Sequence, residues 1–180
     1  MNTSKKYSHV EIKDLGIGII KKNLEQLNNS YTKVGFPHGA IEATGEAKSM
    51  AEVSTYAFYN EFGTKYIPSR PFMSTAFHAN SKELCSIRDS LYKKLLEGKT
   101  TVPTALGLLG EWHTAKIKAT IDSNIPPPNA PSTIRRKNAA LMRRTSKKSR
   151  NENPSIGTTT RTLINFGQMR NSVTHVEVIK

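Results

Sequence analysis

Tyr59-Asn60-Glu61-Phe62-Gly63-Thr64-Lys65-Tyr66-Ile67-Pro68-Ser69-Arg70-Pro71-Phe72-Met73 is the corner on which the fold of this chain turns. The segment leading into it, Met50 to Phe62, places Val53, Tyr56, Ala57 and Phe58 at spacings that suit an amphipathic helix. Gly63 ends that helix, because glycine takes positive φ at no steric cost. Pro68 and Pro71 fix φ and remove two donors, so the chain enters the next apolar run at a set angle, and Phe72 and Met73 lock that entry into the core. Glu61 and Arg70 are either an ion pair across the corner or two separate solvated charges.

Downstream, Phe72, Met73, Ala76, Phe77, Leu84, Ile87, Leu91 and Leu95 step in helical turns up to Gly98, which predicts one long helix, the longest of the chain. Thr104 is the expected cap of another, with Ala105, Leu108, Leu109, Trp112, Ala115 and Ala119 on one stripe, ended by Pro126, Pro127 and Pro128. Two such helices across a short connection imply an antiparallel pair. Cys85 reads as a small buried thiol and Trp112 as a core anchor.

Upstream, Val10 and Ile12 alternate with polar neighbours from Ser8 to Lys13, which predicts a short strand. Asp14 then caps a helix over Leu15 to Leu27 with Leu15, Ile19, Ile20, Leu24 and Leu27 on one face. Tyr31 to Phe36 alternates as a second strand that runs into a loop at Pro37, His38 and Gly39, and Ala40 to Lys48 has no strong period. At the other end, Gly167 to Val173 suits one or two helical turns, and the alternation through Val178 predicts a last strand. Strands from both ends of the chain are expected to meet in one sheet.

Between these parts lies most of the excess charge. The 180 residues carry 27 basic and 14 acidic side chains, a net +13. Arg135, Arg136, Lys137, Arg143, Arg144, Lys147, Lys148 and Arg150 stand together with no acidic residue among them, and without those eight the balance is 19 against 14. Pro131 and Ser132 are expected to start a short helix carrying Arg135 and Arg136. A self-repelling loop over 138–160 then follows, which meets nucleic acid, meets an acidic protein, or is merely solvated.

Enzyme signatures are missing. Gly16 and Gly18 imitate the start of a dinucleotide fingerprint, but Lys21 stands where the third glycine belongs. His9, His38, His78, His113 and His175 are scattered without metal-ligand spacing, and one cysteine cannot complete a zinc site. Glu111, Trp112 and His113 are adjacent on a helix and so diverge. No cofactor or metal is implied. A single cysteine predicts a reducing compartment, and Met1 to Tyr7, polar and lysine-bearing, predicts neither secretion nor membrane insertion.

The corner at Tyr59 to Met73 resembles the signature of the bacteriophage tail-completion and head-tail joining family, in which a helix ending E-F-G-T leads through a short strand to I-P-x-R-P-F-[ML]. Here Glu61, Phe62, Gly63, Thr64, Pro68, Arg70, Pro71 and Phe72 carry it. Three further segments follow the family's order: Val34-Gly35-Phe36, then Pro128 to Ile134, then Leu163 to Val173 with Gly167, Asn171 and Ser172. Asn165 and Phe166 replace the family's Asp-Thr, so the cap of the last helix is formed differently, with the Asn165 side chain a candidate for it.

The residues and the resemblance together predict one α+β domain over 1–180. It has a small, mostly antiparallel sheet packed against a long helical hairpin, a flexible N-terminus at 1–7 and an extended basic loop. The resemblance implies a non-enzymatic virion protein of the phage neck, assembled in the host cytoplasm. It would form a ring of six or twelve copies at the head-proximal end of the tail, touching the tail tube or tail terminator and the head connector or portal. Genomic DNA in the lumen is a further candidate contact for the basic loop, although a strongly attractive lumen would impede its passage and favours an acidic protein instead. A tail terminator that caps the tube and a basic nucleic-acid-binding accessory protein are the alternative readings.

Overall fold

The computed structural model describes residues 17–36, 47–148, 161–164 and 168–179. Through them run α1 (Ile17–Asn28), β1 (Tyr31–Gly35), α2 (Ala47–Phe62), α3 (Phe72–Ala79), α4 (Ser81–Leu96), α5 (Val102–Asp122), α6 (Pro131–Lys148), α7 (Gln168–Asn171) and β2 (Thr174–Val178), an α+β arrangement. The expected strand Ser8–Lys13, the Asp14 cap, the turn at Pro37 to Gly39, Arg150, Asn165, Phe166 and Gly167 lie outside the described residues.

α5 is the axis, and at 21 residues it is the longest described helix. Thr101, not Thr104, is its cap. The Thr101 side chain accepts the Thr104 N–H at 3.4 Å, while Pro103, which has no N–H to satisfy, occupies the first turn. The buried face is also turned from the expected one: Val102, Ala105, Leu106, Gly110, Thr114, Ile117 and Ile121 are inside, whereas Leu108, Ala115 and Ala119 are exposed. The cause is the sheet. β1 and β2 both lie against α5, and an added Cβ on Gly110 would stand 2.6 Å from the His175 ring and 2.8 Å from Thr32 Oγ1, so the sheet sits where the helix has no side chain.

Among the described residues the sheet is one antiparallel pair in the register Tyr31↔Val178 through Gly35↔Thr174, joining strands from opposite ends of the described chain. On its other flank α5 meets α3 and α4 as the antiparallel partner expected from sequence. Phe72 and Ala76 share a core with Ile117 and Ile121. Glu83, at the start of α4, receives Trp112 Nε1–H at 3.0 Å and Lys116 Nζ at 2.7 Å, and Leu91 and Leu95 pack with Val102, Ala105 and Leu106. Contacts therefore run backwards along α5 as they run forwards along the partner.

That partner is two helices, not one. Asn80 interrupts it at φ −109° and ψ 13°, with its side-chain amide donating to Ala76 O at 2.8 Å. This local bond competes with helix continuation, a habit of asparagine that the apolar period does not register. Gly98, as expected, closes α4 at φ 68°, with N–H groups of Gly98 and Lys99 returning to Leu95 and Lys94. Two side chains expected inside are not. Cys85 is exposed, one position off the Leu84, Ile87, Leu91 face, and Trp112 is half-buried at the surface with Glu83 and Lys116 as its partners.

Among the described residues of α1 none is fully buried: Ile19 and Leu24 are exposed, while Leu27 packs on the second core and Asn23 donates to Leu95 O. The basic segment departs most from expectation. Far from becoming a loop after Arg136, it stays helical to Lys148. Ala139-Ala140-Leu141-Met142 and the Arg and Lys residues are strong helix formers, and like charges spaced along an exposed helix cost only tenths of a kcal/mol per pair.

Gly110→Ala should lower the urea midpoint by an amount equivalent to about 1–3 kcal/mol, the usual cost of overpacking. Gly107→Ala, whose new Cβ meets only the mobile Glu177 carboxylate, should leave the midpoint level or raise it. His113 lies between the Phe77 and Trp112 rings, and burial pushes its imidazole below the ordinary 6.5. As pH falls through about 6.5 the unfolded chain takes up this proton first, so His113 draws stability down from there to its folded pKa and no further. His113→Gln should lose less stability than the parent across that window.

Candidate functional site

Val53, Ala57 and Glu61 recur every four residues and form the buried face of α2. A carboxylate on such a face must find partners or stay protonated. Glu61 finds them on the next helix: it accepts Met73 N–H and Ser74 N–H, both at 2.9 Å, and Ser74 Oγ–H at 2.6 Å. Pro71, at the N-cap of α3, has no side chain that can cap, so a residue of α2 caps α3 from outside.

The connection between them is tied at each step. Gly63 leaves α2 at φ 78°, where an added Cβ would lie 2.9 Å from Ser69 N. Thr64 Oγ1 accepts the N–H groups of Tyr66 and Ile67, Ser69 Oγ–H donates to Glu61 O at 2.7 Å, and Arg70 N–H donates to Asn60 O at 2.6 Å. The segment forms bends and coil, not the short strand that the resemblance implied. Pro68, Thr64 and Phe62 are exposed, and Phe72 is fully buried.

Glu61 and Arg70 are neither an ion pair nor solvated charges. Both are buried, with separate partners. Arg70 Nε–H donates to Pro127 O at 2.8 Å and Nη2–H to Pro128 O at 3.2 Å, and burial pulls the guanidinium below its ordinary pKa. The two prolines supply carbonyls and bring no donors that would compete. Lys137 behaves alike on the far side: its ammonium donates to Arg161 O at 2.8 Å and Ile164 O at 2.7 Å, with its pKa lowered first by burial and then by the charge of Arg70. Asn129 also donates to Arg161 O, Asn124 Oδ1 accepts Thr162 N–H, and Arg170 grips both oxygens of Asp122 at 2.9 and 2.8 Å.

The four sequence segments singled out above thus meet in one place. Val34 and Phe36 pack on the core that holds Phe72, Leu163, Ile164 and Val173, and the chain from Pro127 to Lys137 is stitched to both Arg70 and residues 161–164. Asn171 is exposed and Ser172 half-buried at the turn into β2. Of the basic candidates, Arg135 and Arg136 are exposed on α6 while Lys137 is turned inward. Arg143, Arg144, Lys147 and Lys148 follow along the same helix.

A second surface was not foreseen. Tyr56, Phe58, Tyr59, Phe62 and Tyr66 are exposed, Phe62 at 68% and Tyr66 at 87%, with Phe58 and Phe62 ring centroids 4.8 Å apart. The pattern predicted Tyr56 and Phe58 on the inner face. The inner face belongs instead to the small Val53 and Ala57 and to Glu61, which leaves the aromatic rings outside. The Phe58 ring meets those of both Tyr59 and Phe62, and contiguous exposed apolar surface of this kind marks interaction sites.

Among the described residues no three His, Cys, Asp or Glu side chains group to hold a metal ion, and no helix is long and apolar enough to cross a membrane. A groove of about 220 Å³ between α1 and α4 is lined by Asn23, Leu24, Leu27, Tyr92, Leu95 and Leu96, with no carboxylate, imidazole, thiol or ammonium among them. No family model, curated protein or solved structure matches the chain.

Glu61→Ala should cost about 1–3 kcal/mol in urea unfolding, the range for a lost cap with charge-assisted bonds, and Glu61→Gln part of that. Arg70→Lys, which has the charge without the planar fork, should also destabilise, by about 1–2 kcal/mol.

Proposed function

We propose that this chain is a structural subunit of the neck of a tailed bacteriophage, a tail-completion or head-tail joining protein that closes into a ring at the head-proximal end of the tail and carries out no catalysis. The observation that carries this reading is the convergence of its four resembling segments: Val34 and Phe36 share an apolar core with Phe72, Leu163, Ile164 and Val173, and buried polar bonds tie Arg70, residues 127–137 and residues 161–164 together, so residues far apart in sequence serve one local construction. In a cyclic ring each subunit offers two different faces to its neighbours. The exposed aromatic row of α2 suits one of them, because large rigid aromatic side chains anchor protein interfaces at low entropic cost. The remaining surfaces would face the tail tube or its terminator on one side and the head connector on the other, placing the protein in the virion.

A second reading is favoured by the charge, a basic nucleic-acid-binding accessory protein, and a third is a tail terminator proper. Blocking synthesis of the chain in a growing phage and imaging the lysate by negative-stain electron microscopy separates them. DNA-filled heads beside finished, unattached tails are the expected result. Overlong tails would identify a terminator, and normal infectious particles would overturn the neck reading in favour of the accessory one.

A further inference from the structure

α6 has seven basic residues and no acidic one in 18 positions. Elsewhere six basic side chains have a carboxylate partner: Lys21 with Glu25, Arg88 with Asp89, Lys99 with Glu97, Lys116 with Glu83, and Arg161 and Arg170 with Asp122. Among the described residues no carboxylate pairs with Arg135 or Arg136, both exposed. Because the segment is a helix, Arg143 and Lys147 stand about two and three turns after Arg136 along one axis, about 18 Å from Arg135 to Lys147 at 1.5 Å per residue. Lys137, about a quarter-turn away, is bound to the carbonyls of Arg161 and Ile164, which fixes the start of the helix on the body and leaves the Arg135–Arg136 side turned away from it.

We propose that this face of α6 binds duplex DNA through its phosphate backbone, without reading sequence. Two partners fit positive charge, a polyanionic nucleic acid and an acidic protein, and the composition of the face decides between them. Protein interfaces are anchored by large buried side chains, and the residues exposed on the first half of this helix, Pro131, Ser132, Arg135, Arg136, Asn138 and Ala139, include no large apolar one. Phosphate contacts need only charge and donors, which arginine and lysine supply. The aromatic row that does suit a protein partner lies on a different helix, α2. Attraction of this sequence-independent kind lets a protein slide along DNA, so it is compatible with a duplex that must move past it. The inference stands on α6 alone and does not require the ring.

The test uses the purified full chain, a short fluorescein-labelled duplex of arbitrary sequence, and anisotropy titrations between about 50 and 200 mM salt. One variant replaces Arg135, Arg136, Arg143 and Lys147 with glutamine, a strong helix former. A charge-matched control replaces the exposed Lys22, Lys82, Lys93 and Lys94. Loss of four phosphate contacts should reduce the slope of log affinity against log salt by about 3 to 4, and the control should keep the parent's slope. The double variant Arg135→Gln, Arg136→Gln, expected to lose about half as much, serves if the fourfold one fails to fold. Equal loss in the control, an unchanged slope in the α6 variants, or binding of polyglutamate but not DNA would each overturn the proposal, the last in favour of an acidic protein. DNA binding through α6 by a protein whose absence leaves phage particles normal would uphold this inference and remove the neck reading.

Discussion

A single carboxylate closes the corner on which the rest of the fold is hung. α3 has eight residues, too few to be stable alone, and it starts at a proline that cannot cap it. Glu61 supplies from α2 what α3 lacks, two carboxylate oxygens that accept its first free N–H groups and a negative charge at the positive end of the helix dipole. With that angle fixed, Phe72 reaches complete burial and Ala76 meets Ile117 and Ile121. Arg70, one turn of chain away, fastens the same corner to the Pro126–Pro128 segment and through it to α6 and residues 161–164. The node is polar and buried, and its bonds are directional, so it specifies one arrangement of chain segments that apolar packing alone would leave looser.

The buried construction determines which chemistry stays outside. Giving the inner face of α2 to Val53, Ala57 and Glu61 turns Phe58, Tyr59 and Phe62 to the surface, and anchoring Lys137 inward turns Arg135 and Arg136 outward. One face is thereby aromatic and the other cationic, on different helices. Such a division suits a subunit with a protein neighbour on one side and a polyanion on another.

Much of this was legible in the residues. Gly63 and Gly98 as helix ends, the proline-directed entry at Phe72, the antiparallel helical pair and the meeting of the strands at Tyr31 and Val178 all rest on local chemistry or simple periodicity. What misled was competition between local and tertiary terms. The break at Asn80 is a side-chain bond to Ala76 O that an apolar period does not see. The inner face of α5 was set by Gly110, where the sheet presses in, and not by its largest side chains. For the basic segment, charge repulsion was weighed above helix propensity, whereas the propensity of alanine, leucine, methionine and arginine prevails up to Lys148. Glu61 and Arg70 are both buried, yet not with each other. Their partners, backbone groups twelve and 57 residues on, could not be read from charge complementarity.

Native-state hydrogen exchange at the backbone amides of Met73, Ser74 and Arg70 tests the central claim most directly, since these N–H groups are held by Glu61 and Asn60 and by nothing within α3. If the corner is the constraint on which the fold depends, all three exchange only through global unfolding, with an opening free energy equal to the stability measured by denaturant. Faster exchange through local opening, with the α5 core still protected, would show that the corner is a dependent feature and contradict the account.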